Sequence, residues 1–183
     1  MTSARRSVIG EYHGQSFFSI RCLTRCVPGE KMTITIASAD WRTSWPVVNG
    51  LLERIPEWKH DQRPASNHWA ARGTRDKSLL ILASHDGTPV GFQAGYVTTT
   101  THRHGYLWIA GVLPDYRNQG VMTRLFKCVG EHARDHWQVG SVELDTGTAY
   151  PDMLKLVAKI GFKQESTTPS PQDMRFRIQA QHL

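Results

Sequence analysis

Apolar residues along this chain repeat with two periods, and the changes of period divide it into elements. Behind Met32, Thr33, Ile34, Thr35 and Ile36 alternate and predict a first strand. Ser44 is then placed to cap a helix with Pro46 in its first turn. Val47, Val48, Leu51, Leu52 and Ile55 fall on one face of it, and Pro56 stops it. Residues 57–77 are mixed, with a short helix after Ser66. Residues 78–84 form an apolar run of strand length, 85–87 read as a turn, and 89–97 form a second run, so the pair predicts a hairpin. A polar link leads to a strand over 105–113, ended by Pro114. Residues 117–136 predict the longest helix, with Val121, Met122, Leu125, Phe126, Val129 and Ala133 at helical spacing. A short strand follows at 141–145. Pro151 opens a helix that carries Met153, Leu156, Val157 and Ile160 inward, and Gly161 closes it. Phe162 starts a strand, and the strict alternation of 174–178 marks a half-buried last one.

Hairpin neighbours pair antiparallel, and the strand–helix–strand crossover adds a parallel pair. The fold class is therefore mixed α/β around a mixed sheet. The 183 residues fit one domain, which buries roughly 70% of its unfolded surface without metal or disulfide support. Residues 1–31 follow neither period and read as a partly ordered N-terminal extension to a domain spanning 32–183.

Three cysteines, Cys22, Cys26 and Cys128, are a sparse, odd set, which points to a reducing compartment and a cytoplasmic location. Cys22 and Cys26 lack the further ligands of a zinc site, so no metal is expected. Arg5 and Arg6 precede no continuous apolar block, which fails the signal-peptide pattern. No apolar run approaches the ~18 residues of a spanning helix, so a membrane is not an expected partner. The formal net charge of +6 favours anionic partners and suits a phosphate-bearing cofactor. Arg5-Arg6 is the longest basic run and no nucleic-acid motif occurs, so nucleic acid is not expected either.

The most informative stretch is 112–125. A strand ends at a proline, a polar turn follows, and Gly120 opens a long helix. The first turn of a helix has amide groups without internal partners, and the macrodipole adds roughly half a positive charge there. Gly120 lets backbone approach a phosphate, and Arg117 supplies a formal charge beside it. No Gly-Lys-Ser/Thr follows and no GxGxxG is present, so this is neither a nucleotide P-loop nor a dinucleotide fingerprint.

The run Val112, Leu113, Pro114, Asp115, Tyr116, then Arg117, Asn118, Gln119, Gly120, Val121, Met122, resembles the coenzyme A loop of the GNAT superfamily of acyl-CoA-dependent N-acyltransferases. Met122 departs from the small residue of that pattern. Residues 151–162 resemble the family's late helix ending in Gly-Phe, and the resemblance covers about 32–180. It implies a central mixed, mostly antiparallel sheet with helices on both faces, splayed between the fourth and fifth strands.

The same resemblance implies that an acetyl group passes from acetyl-CoA to a primary amine of a small molecule or peptide by direct attack. Val112 and Leu113 would offer main-chain groups to the pantetheine arm. The backbone at Asn118, Gln119, Gly120, Val121, Met122 and Thr123 would hold the pyrophosphate. The acceptor would meet 57–77 and 98–104. There Trp58 and Trp69 could stack on it and Glu57 and Asp61 could attract a cationic amine, against plainer readings as core and solvated surface. A homodimer is compatible with this reading.

Two expected groups are missing. Trp108 stands where the family often has a carboxylate, and Val157 where it often has a tyrosine acid. The remaining candidates are His102, His104 and Asp145 as bases and Tyr150 as acid, against plainer readings as loop, turn-cap and packing residues. These departures keep open the alternative of a non-catalytic acyl-CoA-binding sensor or partner domain.

Overall fold

The computed structural model describes residues 33–59, 63–75, 77–98, 104–167 and 173–183. The alternating segments become strands: β1 (Ile34–Ser38), β2 (Ser78–His85), β3 (Thr88–Val97), β4 (Gly105–Val112), β5 (Ser141–Gly147), β6 (Lys163–Thr167) and β7 (Asp173–Gln179). The segments of helical period become α1 (Trp45–Arg54), α2 (Ser66–Gly73), α3 (Val121–His132) and α4 (Pro151–Ile160). Among the described residues the strands form one sheet in the order β1-β2-β3-β4-β5-β7-β6. Every pair is antiparallel except β4 with β5. A crossover through α3 joins that parallel pair, as such a connection requires.

β3 is buried at eight consecutive positions, so both faces of the sheet are covered there. α1 packs over β3 and β4, α2 over β2, α3 across β1 to β4, and α4 against β5. Val48, Leu51, Leu52 and Ile55 form the inward face of the first helix as the periodicity predicts, whereas Val47 is exposed. Each fully buried side chain of this size contributes about 1.5–3 kcal/mol. Ser44 takes helical dihedrals and makes no capping hydrogen bond, so its expected capping role is not realised.

The largest departure from the predicted elements is at the third helix. The sequence pattern starts it at 117, but its first regular turn begins at Val121. Pro114–Tyr116 form a 3-10 turn, and Asn118 (φ 60°) and Gly120 (φ 73°) adopt left-handed dihedrals that a helix excludes. At the other end the helix widens into a π turn over Ala133–Trp137.

Candidate active site

β4 and β5 pair only over Gly105–Leu107 and Val142–Leu144, and from Trp108 onward they part. Side chains occupy two carbonyls of the freed β4 edge. The Trp58 indole N–H donates to the Ala110 carbonyl at 3.3 Å, and Arg117 Nε donates to that of Val112 at 3.1 Å. The groups of Ala110 and Val112 therefore turn into the gap. Those of Leu113 do not. Its N–H bonds the Val90 carbonyl on β3 and its carbonyl accepts from Tyr116 N–H, so strand alternation removes Leu113 from its expected role and puts Ala110 in its place.

At the open end of the gap lies the polar turn. The first intrahelical bond of α3 runs from Arg124 N–H to the Gly120 carbonyl at 3.0 Å. The amides of Val121, Met122 and Thr123 thus have no carbonyl one turn behind them. A Cβ built on Gly120 would meet nothing within 4 Å, so space is open above these donors. An anion fits there. Asn118 and Gln119 are exposed, the latter bonded through Nε2 to the Asp115 carbonyl, and Met122 is half-buried against the core. Arg117 points elsewhere than expected. Its guanidinium grips Glu57 with two bonds of 2.7 Å, which hold the Glu57 carboxyl below its usual range and raise the arginine further. Asp152, at the start of α4, adds to that field from across the gap.

At the inner end of the gap the strand is irregular. Ala94 faces Ile109 and Gly95 faces Leu107, so Trp108 is an extra residue in β4. A Cβ on Gly95 would lie 2.6 Å from the Tyr106 carbonyl, so the bulge requires glycine opposite it. Consecutive side chains of a regular strand point to opposite faces, but Trp108 and Ile109 both line one cavity of about 270 Å³. Trp58, Arg63, Pro64, His68 and Arg72 complete its wall.

A family model described as the acetyltransferase (GNAT) family matches residues 38–162. The chain belongs to the GNAT acetyltransferase family. Solved structures agree on the fold. A ribosomal-protein alanine N-acetyltransferase from Escherichia coli is 17% identical, with 81% of this chain and 94% of that chain covered and a TM-score of 0.65. A spermidine N-acetyltransferase chimera of Vibrio cholerae SpeG and hSSAT is 12% identical, with 81% and 96% covered and a TM-score of 0.64. The PaiA N-acetyltransferase of Thermoplasma acidophilum, solved with coenzyme A, is 14% identical, with 81% and 99% covered and a TM-score of 0.61. Among curated protein sequences none matches.

In this GNAT domain the expected acceptor tryptophans part company. Trp58 lines the cavity, but Trp69 is only 1% exposed. It stacks on Trp41 at 4.5 Å, and each indole N–H bonds the other's carbonyl at 2.8 Å. Trp69 is a packing residue that backs Trp108, 6.0 Å away. Val157 is fully buried, so that position is core.

The polar candidates are also divided. His104 lies four residues before Trp108, about 13 Å along the strand. Its Nε2 is 2.7 Å from the buried Glu143 carboxylate, which Arg177 also grips. Asp145 follows Leu144, the last β5 residue paired with β4. Arg175 holds both its oxygens, at 2.9 and 3.0 Å, and the Tyr106 hydroxyl donates to it at 3.0 Å. Burial, then the Asp145 charge, pushes the Tyr106 hydroxyl well above the tyrosine range. Tyr150 precedes α4 at the open end of β5 and is half-buried. His102, Asp61, Cys22 and Cys26 lie outside the described residues. The sequence reading missed Arg63, His68 and Arg72 as cavity residues. No short motif marks them, because α2 and the segment before it bring them to β4 only in the folded chain.

Proposed function

We propose that this domain is an acetyl-CoA-dependent N-acetyltransferase that acetylates a primary amine by direct attack. The reading is carried by three features in chain order along one side of the sheet. Amides at 121–123 lack an intrahelical partner, the main-chain groups of Ala110 and Val112 turn into the gap between β4 and β5, and a cavity lies beside Trp108. The backbone of 118–123 would hold the pyrophosphate, and the N–H groups of Ala110 and Val112, whose carbonyls already accept from Trp58 and Arg117, would donate to pantetheine carbonyls. Coenzyme A supplies the acetyl group as an activated thioester. The acceptor nitrogen attacks its carbonyl carbon; the C–N bond forms, the C–S bond breaks, nitrogen loses a proton and sulfur gains one. A main-chain N–H at the Trp108 bulge would polarise the carbonyl, and holding two substrates together supplies most of the rate.

Tyr150 is the proton donor we assign to the sulfur. Asp145 and His104 are engaged by Arg175 and Glu143, so no side chain is assigned as base and proton removal is left to water. The test is release of free thiol from acetyl-CoA across a panel of amines, with Tyr150→Phe lowering turnover at unchanged coenzyme A affinity. Tight coenzyme A binding with no thiol release from any amine would instead establish a binding module. Trp108 at the usual place of the base and Val157 in the core favour that second reading.

A further inference from the structure

The cavity beside Trp108 has a charge pattern that names an acceptor class. We infer that the acceptor carries a carboxylate as well as its amine, the carboxylate seated between Arg63 and Arg72 and an apolar body lying against Trp58 and Trp108. The inference rests on the acetyltransferase reading for its chemistry but not for its binding geometry.

Three observations carry it. First, the described lining contains two arginines and a histidine and no carboxylate. Second, neither arginine has an acidic partner among the described residues. Among the described residues Arg63 donates only through its Nε, to the Trp58 carbonyl at 3.1 Å. The Arg72 guanidinium carbon lies over the Trp108 ring, 4.2 Å from its centre, and its buried Nε has no hydrogen-bond partner among the described residues. Third, two carboxylates beside the path are already taken, Glu57 by Arg117 and Asp145 by Arg175, each with two bonds. A polycation entering here meets two fixed guanidinium groups and no free carboxylate in the described wall, whereas a carboxylate meets the planar donor fork that suits it.

The volume of about 270 Å³ sits just under the usual range for small-molecule sites, ~300–1,000 Å³. That is room enough for an acceptor body of about the size of an aromatic side chain. The arrangement also bears on the missing base. Positive charge beside an amine disfavours its protonated form, so the arginines that anchor the carboxylate also help deprotonate the nucleophile.

The test has a turnover arm and a binding arm, both on the full chain. In the first, kcat/KM with acetyl-CoA is compared for phenylalanine, phenylalaninamide and spermidine. Phenylalanine should exceed its amide by tenfold or more, with spermidine poorest. Arg63→Met should remove most of the preference for phenylalanine, change the amide less than about threefold, and leave the thermal midpoint in place. In the second, tryptophan fluorescence of the coenzyme A complex is titrated with phenylacetate and with phenylacetamide. Tighter binding of phenylacetate, abolished by Arg63→Met, supports the inference even if no amine turns over, and then only the catalytic reading fails. A preference for spermidine, equal binding of acid and amide, or no binding of phenylacetate overturns it.

Discussion

Replacing Gly120 with alanine separates what the glycine does for folding from what it does for a ligand. Its φ of 73° is left-handed, which costs an L residue about 1–2 kcal/mol. Steric conflict adds nothing, because the new Cβ meets no atom within 4 Å. For a chain of this size each kcal/mol lowers Tm by about 2–4 °C, so the melt should fall by roughly 2–8 °C. Gly161, which closes α4 at φ 102°, supplies the control: it too is left-handed, and its Cβ would also point into open space. Both variants should lose comparable stability. Only Gly120→Ala adds a methyl group to the turn that precedes the Val121–Thr123 amides, where we place the diphosphate. Calorimetric titration with coenzyme A should then show at least tenfold weaker binding, about 1.4 kcal/mol, for Gly120→Ala and less than about twofold for Gly161→Ala. Matching losses at the two glycines, or none at Gly120, would show that the open turn does not hold coenzyme A.

Other substitutions test the neighbouring parts. Gly95→Ala sets a Cβ against the Tyr106 carbonyl, so it should cost about 1–3 kcal/mol by chemical denaturation and reduce acceptor turnover more than coenzyme A affinity, since it disturbs the bulge and not the turn. Glu57→Gln frees Arg117. This half-exposed pair is worth at most about 1 kcal/mol, so stability should barely change while coenzyme A affinity rises a few-fold at low salt; an unchanged affinity would show that Arg117 does not reach the diphosphate. His132 is held down to about 4, first by burial and then by His136. The unfolded chain therefore takes up this proton near pH 6.5 and the folded one only near 4, so stability falls as pH drops between those values. His132→Gln should flatten that part of the stability profile, and an unaltered slope would contradict the assignment.

Most of the fold is legible in the sequence because period and punctuation agree. The run 105–113 stops at Pro114, and the helix of Val157 runs from Pro151 to Gly161, where proline and glycine leave the backbone little choice. The start of α3 is less legible. Residues 117–120 carry no helix breaker except the glycine, and the left-handed turn at Asn118 is a choice that asparagine permits without announcing. The anion turn is legible because it is local: strand end, polar loop, glycine and helix are contiguous. The cavity beside Trp108 is assembled from residues up to 51 positions apart, from Trp58 to Ile109, and no spacing rule reports it.

Trp108 joins the legible and illegible halves. Read in sequence, it is only an absence, a ring where a carboxylate is expected. In the fold it is the inserted residue of a bulge whose backbone demands Gly95 opposite, and whose side chain supports Arg72 from one side and packs on Trp41 and Trp69 from the other. Replacing a carboxylate by an indole removes one negative charge from the wall and lets a guanidinium rest over the ring. An interaction of this kind is worth about 0.5–2 kcal/mol, depending on how dry it is. On the proposed reading, an indole at this place both leaves the site without that base and gives Arg72 a ring to rest on, which would change the acceptor the site holds and the way that acceptor loses its proton. On that reading a site that kept the carboxylate would suit a cationic amine, whereas this one would suit an amine carrying a negative charge of its own.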